Sequence, residues 1–408
     1  MSDSTVQVPE VKVTASEPDD LPLPPPPAPG ADVDPDDLSL IVNGQVWRGW
    51  DTITVVRSCE RLPSVFTVTL TERFPGEADL SFMPGDRCLV RLGRDTVITG
   101  RIDKHAPAID ANSHTVTVIG RSNCRELVDC AAMFPGWQIS AKTVKGIVEA
   151  LASYYGVQVS APQGDGPLVP QMNLIPGETV WSVIERLCRF GKLLAYDDPD
   201  GNLVLSGVGT EKHASGVREG VNVQAAATTL AADQRYSEYW VYLQSTTALF
   251  SQLSLATGGD GMQPPAGLAK DEAVQNKRIF IIMMEHAGPY DTREIAQQRA
   301  EWEAARRRGR AEAIRVRVDS WRDSTGELWQ PNKRLDVHVP SCKVSNAEWI
   351  IAEVTYRRGL RGTTADLLLM PPTAFDPAYQ PYLPYNAQLE EAARQRVEMD
   401  QRRSELGQ

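Results

Sequence analysis

The chain has 408 residues, of which 42% are hydrophobic and 23% charged, a composition typical of a globular protein with roughly two to four domains. It contains no apolar run of about 18 residues, which excludes a helical membrane span, and its first residues lack the basic and apolar regions of a secretory signal, so we expect a protein that stays in the cytoplasm where it is made. The net charge is −11. Residues 1–37 contribute −8 of it, with nine acidic residues and one Lys, and residues 38–408 contribute the remaining −3. Residues 38–408 therefore lack the excess of Lys and Arg that nucleic-acid-binding proteins carry.

An acidic, proline-rich leader opens the chain. Residues 1–37 hold nine prolines, including the run from Pro24 to Pro27, beside the acidic cluster. Proline cannot donate a backbone hydrogen bond and like charges repel, so this composition predicts a disordered or polyproline arm. Two interpretations stay open: a plain tether, which is the simpler one, and a peptide that docks on a partner.

Residues 38–125 have the pattern of a first β-barrel or sandwich module. The pair Asn43-Gly44 lies between two apolar runs and predicts a tight hairpin. Apolar and polar residues alternate in several of the segments, which places one face of each strand on a core. The predicted strands are Leu38–Val42, Gln45–Trp47, Asp51–Val56, Ser64–Thr71, Cys88–Leu92, Val97–Ile102 and Thr115–Ile119.

Residues 126–206 change to an α+β pattern, which predicts a small domain inserted into the β framework. Ser140 is the candidate cap of a first helix that Gly156 ends. A second helix follows Pro176-Gly177 and ends at Gly191. A hairpin around Asp200-Gly201 completes the domain. The apolar stripe of the first helix, with steps of three and four, is Val144, Ile147, Val148, Leu151 and Tyr155.

Residues 207–372 predict a second β-barrel module that includes a helix over 292–308, capped by Asp291 or Thr292 and stopped by Gly309. A loop is predicted over 258–270. Residues 373–408 predict an extended connector and a charged C-terminal helix, either solvated or ordered on a partner. The predicted strands of this part are Tyr239–Leu243, Arg278–Met283, Ala313–Trp321, Arg334–Val339, Trp349–Tyr356 and Thr364–Met370.

Sequence motifs for catalysis, metal binding and cofactor binding are missing. The five histidines are scattered without ligand spacing, and the six cysteines form no Cys-x-x-Cys pair, which predicts buried, reduced thiols. No serine-hydrolase elbow, phosphate-binding loop or dinucleotide-binding turn occurs. Asp197, Asp198 and Asp200 could be a glycosidase pair, but Pro199 and Gly201 beside them are typical of a turn. We predict a protein that is not an enzyme and uses no cofactor and no metal.

Two residue classes are candidates for contacts between subunits. The basic run that ends at Arg310 lies at a helix C-terminus, where its charge favours the helix dipole and pairing between subunits over nucleic-acid contact. Tryptophan marks either a core or an interface anchor, and the sequence does not separate the two. The candidate interface residues are Trp47, Trp50, Arg306, Arg307, Arg308, Arg310, Trp329, Leu389 and Val397.

Several segments carry a family resemblance, in an order that spans residues 38–376. They are Val42–Trp50, Arg278–His286, Gln298–Arg310, Leu328–Asn332, Trp349–Val354 and Leu368–Pro372. Together they resemble the Mu-like phage baseplate hub proteins, which are related to the hub part of VgrG-type spikes. The acidic leader and the C-terminal helix depart from this family pattern.

The resemblance implies a mainly β fold with two tail-tube-like β-barrel modules and a small inserted α+β domain. It implies a homotrimer in the virion tail baseplate, made in the host cytoplasm, that adapts the hexameric tail tube protein to the trimeric spike protein and contacts other baseplate proteins. DNA would pass through its lumen, and a near-neutral body suits passage without sticking. The alternatives are a hub of a tailocin or secretion-type contractile injection system and, in another class, a cell-wall-binding or cell-wall-degrading protein using residues 126–206.

Overall fold

The computed structural model describes residues 34–71, 83–110, 114–244, 265–285, 292–360 and 362–375. Strands dominate these residues and helices are few, so the predicted mainly β class with a small helical part is confirmed. Most strands belong to one sheet of thirteen strands within the described residues. The other elements form a small α+β unit and a three-stranded sheet covered by one helix.

The strands of the main sheet come from both ends of the described chain. From the first part they are β1 Leu38–Val42, β2 Gln45–Trp47, β3 Thr52–Ser58, β4 Val65–Thr71, β5 Arg87–Leu92, β6 Asp95–Ile109 and β7 His114–Ser122. From the last part they are β13 Val217–Arg218, β14 Val223–Leu230, β18 Glu312–Val318, β19 Arg334–Val339, β20 Val344–Gly359 and β21 Gly362–Met370. The strand order is β14-β18-β21-β20-β3-β4-β7-β6-β5-β1-β2, with β19 and β13 branching from β20.

The pairing of β20 with β3 joins the two parts. Val55 lies opposite Tyr356 in this antiparallel ladder, and a bulge in β20 between Ile351 and Glu353 precedes the shared segment. Alternating residues of β3 and β4, such as Ile53 and Phe66, turn inward because successive side chains of a strand point to opposite faces. The buried residues of both parts form one continuous core, which also holds Trp321, Trp329 and Leu367.

In the sequence, the small α+β unit lies between the two parts of the chain that form the main sheet. Its helices are α1 Arg125–Asp129, α2 Val144–Ala152 and α3 Val180–Gly191, and its strands are β8 Gln138–Thr143, β9 Val159–Ser160, β10 Leu168–Asn173, β11 Leu194–Asp197 and β12 Leu203–Ser206. Four of the five predicted stripe residues, Val144, Ile147, Val148 and Leu151, are buried in a core separate from that of the main sheet, and Tyr155 is half-buried in the turn after α2. Asp197 ties the unit to the main sheet, because its carboxylate accepts bonds from the backbone N–H and the hydroxyl of Ser64, both at 2.7 Å.

The third sheet consists of β15 Glu238–Gln244, β16 Gly267–Lys270 and β17 Ile279–Glu285, and α4 Thr292–Arg310 packs on one of its faces. Val241 of β15 and the small residues Ala296 and Ala300 of α4 form this contact. Alanines let the helix approach the strands closely. The opposite face of the sheet therefore points away from α4.

Three local predictions are wrong, each because of a tertiary contact. Ser140 lies in β8 opposite Gln171, and Thr143 caps α2 instead by accepting from the N–H of Gly146 at 3.2 Å. Residues 267–270 of the predicted loop form a strand. Gly309 does not stop its helix, which continues to Arg310.

Several local predictions are confirmed. The hairpin at Asn43-Gly44 has both residues at positive φ, 51° and 78°, which the mirror-image turn of a short hairpin requires. Gly156 adopts the left-handed conformation after the turn that follows α2, with φ of 72°. All six cysteines are free thiols, and four of them are buried. Among the described helices, none combines the length and the apolar character that a membrane crossing requires.

Candidate functional site

An exposed apolar face is the clearest candidate for contact with another molecule. The strand register places Trp240 of β15 between Leu268 of β16 and Ile281 of β17, and Met283 continues the row along β17. Ile281 is 52% exposed and Met283 is 60% exposed. We call Trp240, Leu268, Ile281 and Met283 the apolar face. Several large apolar side chains exposed side by side are typical of a protein contact.

The polar rim of the apolar face holds its aromatic residue in place. The indole N–H of Trp240 donates to the Glu238 carboxylate at 2.8 Å, and the Trp240 and Tyr242 rings meet edge to face with centroids 6.5 Å apart. Rigid aromatic side chains lose little conformational entropy when a partner covers them. This side of the sheet is therefore preorganised for binding.

The two ends of the main sheet offer a second kind of surface. Among the described strands, β14 pairs only with β18 and β2 pairs only with β1, so each is an edge of the sheet. Most residues of β14 are exposed, including Leu230 at its end, and the exposed Val221 lies two residues before its start. Val46 is exposed on β2. An open strand edge presents backbone donors and acceptors that another strand can satisfy.

The arginines predicted as interface residues contact acidic and aromatic groups of their own chain. Arg307 lies 4.1 Å from the ring centre of Phe280 and donates to the carboxylate of Glu303 at 2.6 Å. Arg308 pairs with the buried Asp271 at 3.2 Å. The two other arginines of the run, Arg306 and Arg310, share Glu60. The run therefore fixes α4 to the rest of the molecule, and pairing between subunits stays a prediction.

The other predicted interface residues differ in their placement. The burial of Trp50 and of Trp329, which is only 1% exposed, puts both indoles inside the core of this chain, so neither presents a surface to a partner. Trp47 is half-buried at the end of β2, beside the open edge. Leu389 and Val397 lie outside the described residues.

Among the described residues, one cluster of three side chains could bind a metal ion. It consists of His213, Asp323 and Glu327, whose ligand atoms lie within 4.8 Å of one another. The N–H of Gln330 donates to Nε2 of His213 at 3.2 Å, so Nδ1 carries the ring proton toward Asp323 at 3.3 Å. Burial lowers the pKa of His213, although Asp323 opposes this effect. Both ring nitrogens are thus engaged, and the trio fits a buried hydrogen-bond network better than a metal centre.

Sequence reasoning did not find the apolar face or edge strand β14. The alternation Ile279, Ile281, Met283 is visible in the sequence, but its neighbours Phe280 and Ile282 are apolar too, so the pattern does not show which face is exposed. The signal that could have found β14 is weak, because Ala is depleted in strands.

Three protein-family models match successive segments of the chain. Residues 37–122 match the family described as "Mu phage baseplate assembly protein GpP-like, N-terminal". Residues 124–207 match "Baseplate hub protein gp44-like, second domain", and residues 292–378 match "Mu phage baseplate assembly protein GpP, fourth domain". These segments together make up more than half of the chain. The chain belongs to the Mu-like phage baseplate hub family.

Individual members of the hub family are similar over most of the chain. The baseplate hub protein gp44 of Escherichia phage Mu is 28% identical over 330 residues, which cover 78% of this chain and 83% of that protein. The 43 kDa tail protein of prophage MuSo2 from Shewanella oneidensis has a TM-score of 0.73 and 25% identity, covering 83% of this chain and 99% of that one.

The relation to VgrG-type spikes is one of fold. The E. coli c3393 protein, described as a component of the type VI secretion system with similarity to the T4 tail proteins gp27 and gp5, has a TM-score of 0.50. It is 11% identical and covers 81% of this chain and 76% of that chain.

Proposed function

We propose that this hub-family protein is a structural subunit of a phage tail baseplate and that three copies close a ring. The observation that carries the proposal is the pair of open edges, β14 and β2, at opposite ends of the strand order. When one edge of a copy pairs with the other edge of the next copy, the contact is heterologous, and such contacts close a ring if the rotation between copies is right.

The physical gain of the ring is the pairing of exposed backbone groups. Antiparallel sheets with unprotected edges aggregate, and natural proteins cover such edges. Edge strand β14 offers a full strand with small side chains, Ala225 and Ala227, that let another strand approach. The apolar face adds the hydrophobic contact that backbone pairing lacks, and we assign it to the same occupant, a second copy of this chain.

The ring would connect the hexameric tail tube protein to the trimeric spike protein, in contact with other baseplate proteins, in the virion tail. Two β modules per chain would give six similar docking positions above three-fold symmetry. The near-neutral charge of residues 38–408 supports DNA passage through the lumen, because non-specific DNA binding needs an excess of Lys and Arg. Synthesis in the host cytoplasm and a role without catalysis accord with the structural tail proteins that the chain resembles.

The mass of the purified protein and its image in the electron microscope test the ring. Light scattering should give about three times 44.9 kDa, and class averages should show a ring with a central hole. A protein that stays monomeric at every concentration and is also monomeric in assembled tails would contradict the proposal.

Charges on the edge strand supply the matched test. The double variant Ala227→Lys/Thr229→Lys should shift the mass to that of a monomer, because lysines on an edge strand block pairing with a further strand. The control is Thr52→Lys, an exposed position on the central strand β3. The control should keep the trimer mass, and equal loss of mass in both proteins would mean that β14 is not the contact.

A further inference from the structure

A cleft between the small α+β unit and helix α4 combines aromatic rings with arginines. It has a volume of about 350 Å³ and lies between α3, β11, the turn after β3 and α4. Trp181 and Arg189 line it from α3, and Arg299, Trp302 and Arg306 line it from α4. We call these five residues the Trp–Arg cleft. Its volume is in the range of small-ligand sites, so it can take a few residues of a peptide.

The charges of the Trp–Arg cleft favour an anion. The guanidinium of Arg299 lies 4.5 Å and that of Arg306 lies 5.2 Å from the ring centre of Trp302. Burial lowers the pKa of both arginines. Each arginine of the cleft has an acidic neighbour: Arg189 pairs with Glu185, Arg299 with Glu303, and Arg306 with Glu60, which Arg310 shares. The lining nevertheless holds three arginines against two glutamates, Glu60 and Glu185, so its net charge is positive.

The acidic, proline-rich leader of this chain has the complementary chemistry. Residues 17–27 read Glu-Pro-Asp-Asp-Leu-Pro-Leu-Pro-Pro-Pro-Pro, so three carboxylates stand directly before a proline run. Proline-rich peptides dock in grooves lined by aromatic rings because their extended conformation needs little further ordering. Guanidinium groups form strong paired hydrogen bonds with carboxylates. We propose that residues 17–27 dock in the Trp–Arg cleft, with prolines against Trp181 and Trp302 and with Asp19 and Asp20 against the arginines.

The leader is long enough to reach the cleft within one chain. The backbone carbonyl of Asp36 accepts a bond from Arg358 at 2.7 Å, and Arg358 lies opposite Ile53 at the start of β3. From Ile53 to Glu60 at the cleft the chain runs seven residues, or about 23 Å at the strand rise. The nine residues from 28 to 36 span about 28 Å in the polyproline conformation. The docked leader would brace the small unit against α4.

Photo-crosslinking in the full chain tests the docking. The photoreactive amino acid benzoylphenylalanine is placed at Leu23, and the crosslinked peptides are mapped by mass spectrometry. We expect crosslinks to peptides that contain Trp181 or Trp302. Crosslinks spread over the surface, or directed to the apolar face or to the C-terminal segment, would overturn the proposal.

Charge reversal on either side of the contact sharpens the test. Arg189→Glu should lower the crosslink yield roughly five- to tenfold, since a favourable pair becomes a repulsive one. Arg186→Glu is the matched control on the same helix: its side chain is 39% exposed against 50% for Arg189, and it points to Glu178 outside the cleft. Asp19→Lys/Asp20→Lys should reproduce the loss without any change to the folded body. Equal yields for Arg189→Glu and Arg186→Glu would overturn the proposal.

A mixture of isotope-labelled and unlabelled chains separates docking within a chain from docking on a neighbour. Crosslinks that join one labelled and one unlabelled peptide show exchange between copies, and crosslinks within one label show docking in the same chain; either supports the leader as occupant. Because monomers and rings can both be crosslinked, this result is independent of the proposed ring.

Discussion

At the scale of single residues, several buried polar groups of the main body form networks that join distant parts of the sequence. Asp323 is the centre of one such network: burial opposes its ionisation, but hydrogen bonds from Thr325, Glu327 and His213 hold its pKa below the usual range. His213 shares the network and packs against Trp329 with ring centres 5.0 Å apart. A second proton on this ring would face the N–H of Gln330, which is itself a donor.

This geometry predicts a stability that falls in mild acid. The pKa of His213 is lowered in the folded protein, so the unfolded chain binds the proton more tightly. The free energy of unfolding is then fully retained above the unfolded pKa of about 6.5 and falls as the pH drops below it. One group can contribute a slope of at most about 1.4 kcal/mol per pH unit. Urea unfolding between pH 7.5 and 5.5 measures this slope.

Two variants identify the residue responsible for the slope. His213→Asn should remove most of it while lowering stability at every pH. His338→Asn should leave it unchanged, since that ring lies at the surface beside Asn346. If the slope persists in His213→Asn, another group titrates and the network does not control the acid response.

The sequence showed which residue types form the core and that motifs for catalysis and metal binding are missing. It did not show which buried polar groups bond to one another. The turn prediction for Asp198 and Gly201 is confirmed, and its hydrogen bonds are local: Asn202 donates from its backbone N–H and its side-chain amide to the Asp198 carboxylate. Asp197, one residue earlier, makes its contacts with Ser64, more than a hundred residues away. Likewise nothing in the sequence could show that Trp329 is buried in its own chain.

At the scale of elements, turns and helix stripes were predictable because they depend on neighbouring residues, whereas boundaries that depend on distant contacts were not. Gly309, in the last turn of α4, illustrates this. In a sequence, Gly309 after a basic run indicates a helix stop. In the structure, a Cβ on Gly309 would lie 2.5 Å from the backbone nitrogen of Ala374, so this glycine allows the turn at Pro372–Ala374 to pack on the helix.

This contact reverses the usual effect of replacing a helical glycine. Gly309→Ala should destabilise the protein by about 1–3 kcal/mol, because overpacking against backbone outweighs the gain of about 1 kcal/mol in helix propensity. Gly146→Ala in α2 is the control, since its nearest neighbour would be the hydroxyl of Thr143 at 3.3 Å. The control should change the unfolding free energy by less than about 1 kcal/mol. A more stable Gly309→Ala variant would show that the close approach is not needed.

At the scale of the whole molecule, the ladder between β3 and β20 decides how the parts cooperate. The strands of each part were predicted from local alternation, but the pairing joins residues about 300 positions apart, which no local pattern encodes. The division into separate modules at 38–125 and 207–372 therefore stays a prediction. One shared core and one continuous sheet suggest that these parts gain their stability together, while the small unit has its own core.

Two equivalent core substitutions test this cooperativity. Leu367 in β21 and Leu187 in α3 are both buried, the first in the core of the main sheet and the second in that of the small unit. Replacing either by Ala removes the same atoms and should lower the free energy of unfolding by about 2–5 kcal/mol.

Hydrogen exchange reports which backbone amides lose protection, because exchange follows local opening free energies. With Leu367→Ala, amides of β3, β4 and β7 should exchange faster along with those of β18 to β21, since the shared core transmits the loss across the β3–β20 ladder. With Leu187→Ala, faster exchange should stay within residues 124–207. If Leu367→Ala left β3 to β7 protected, the two parts would be independent modules that only touch, and a hub built from such chains would need the neighbouring copies to hold its halves together.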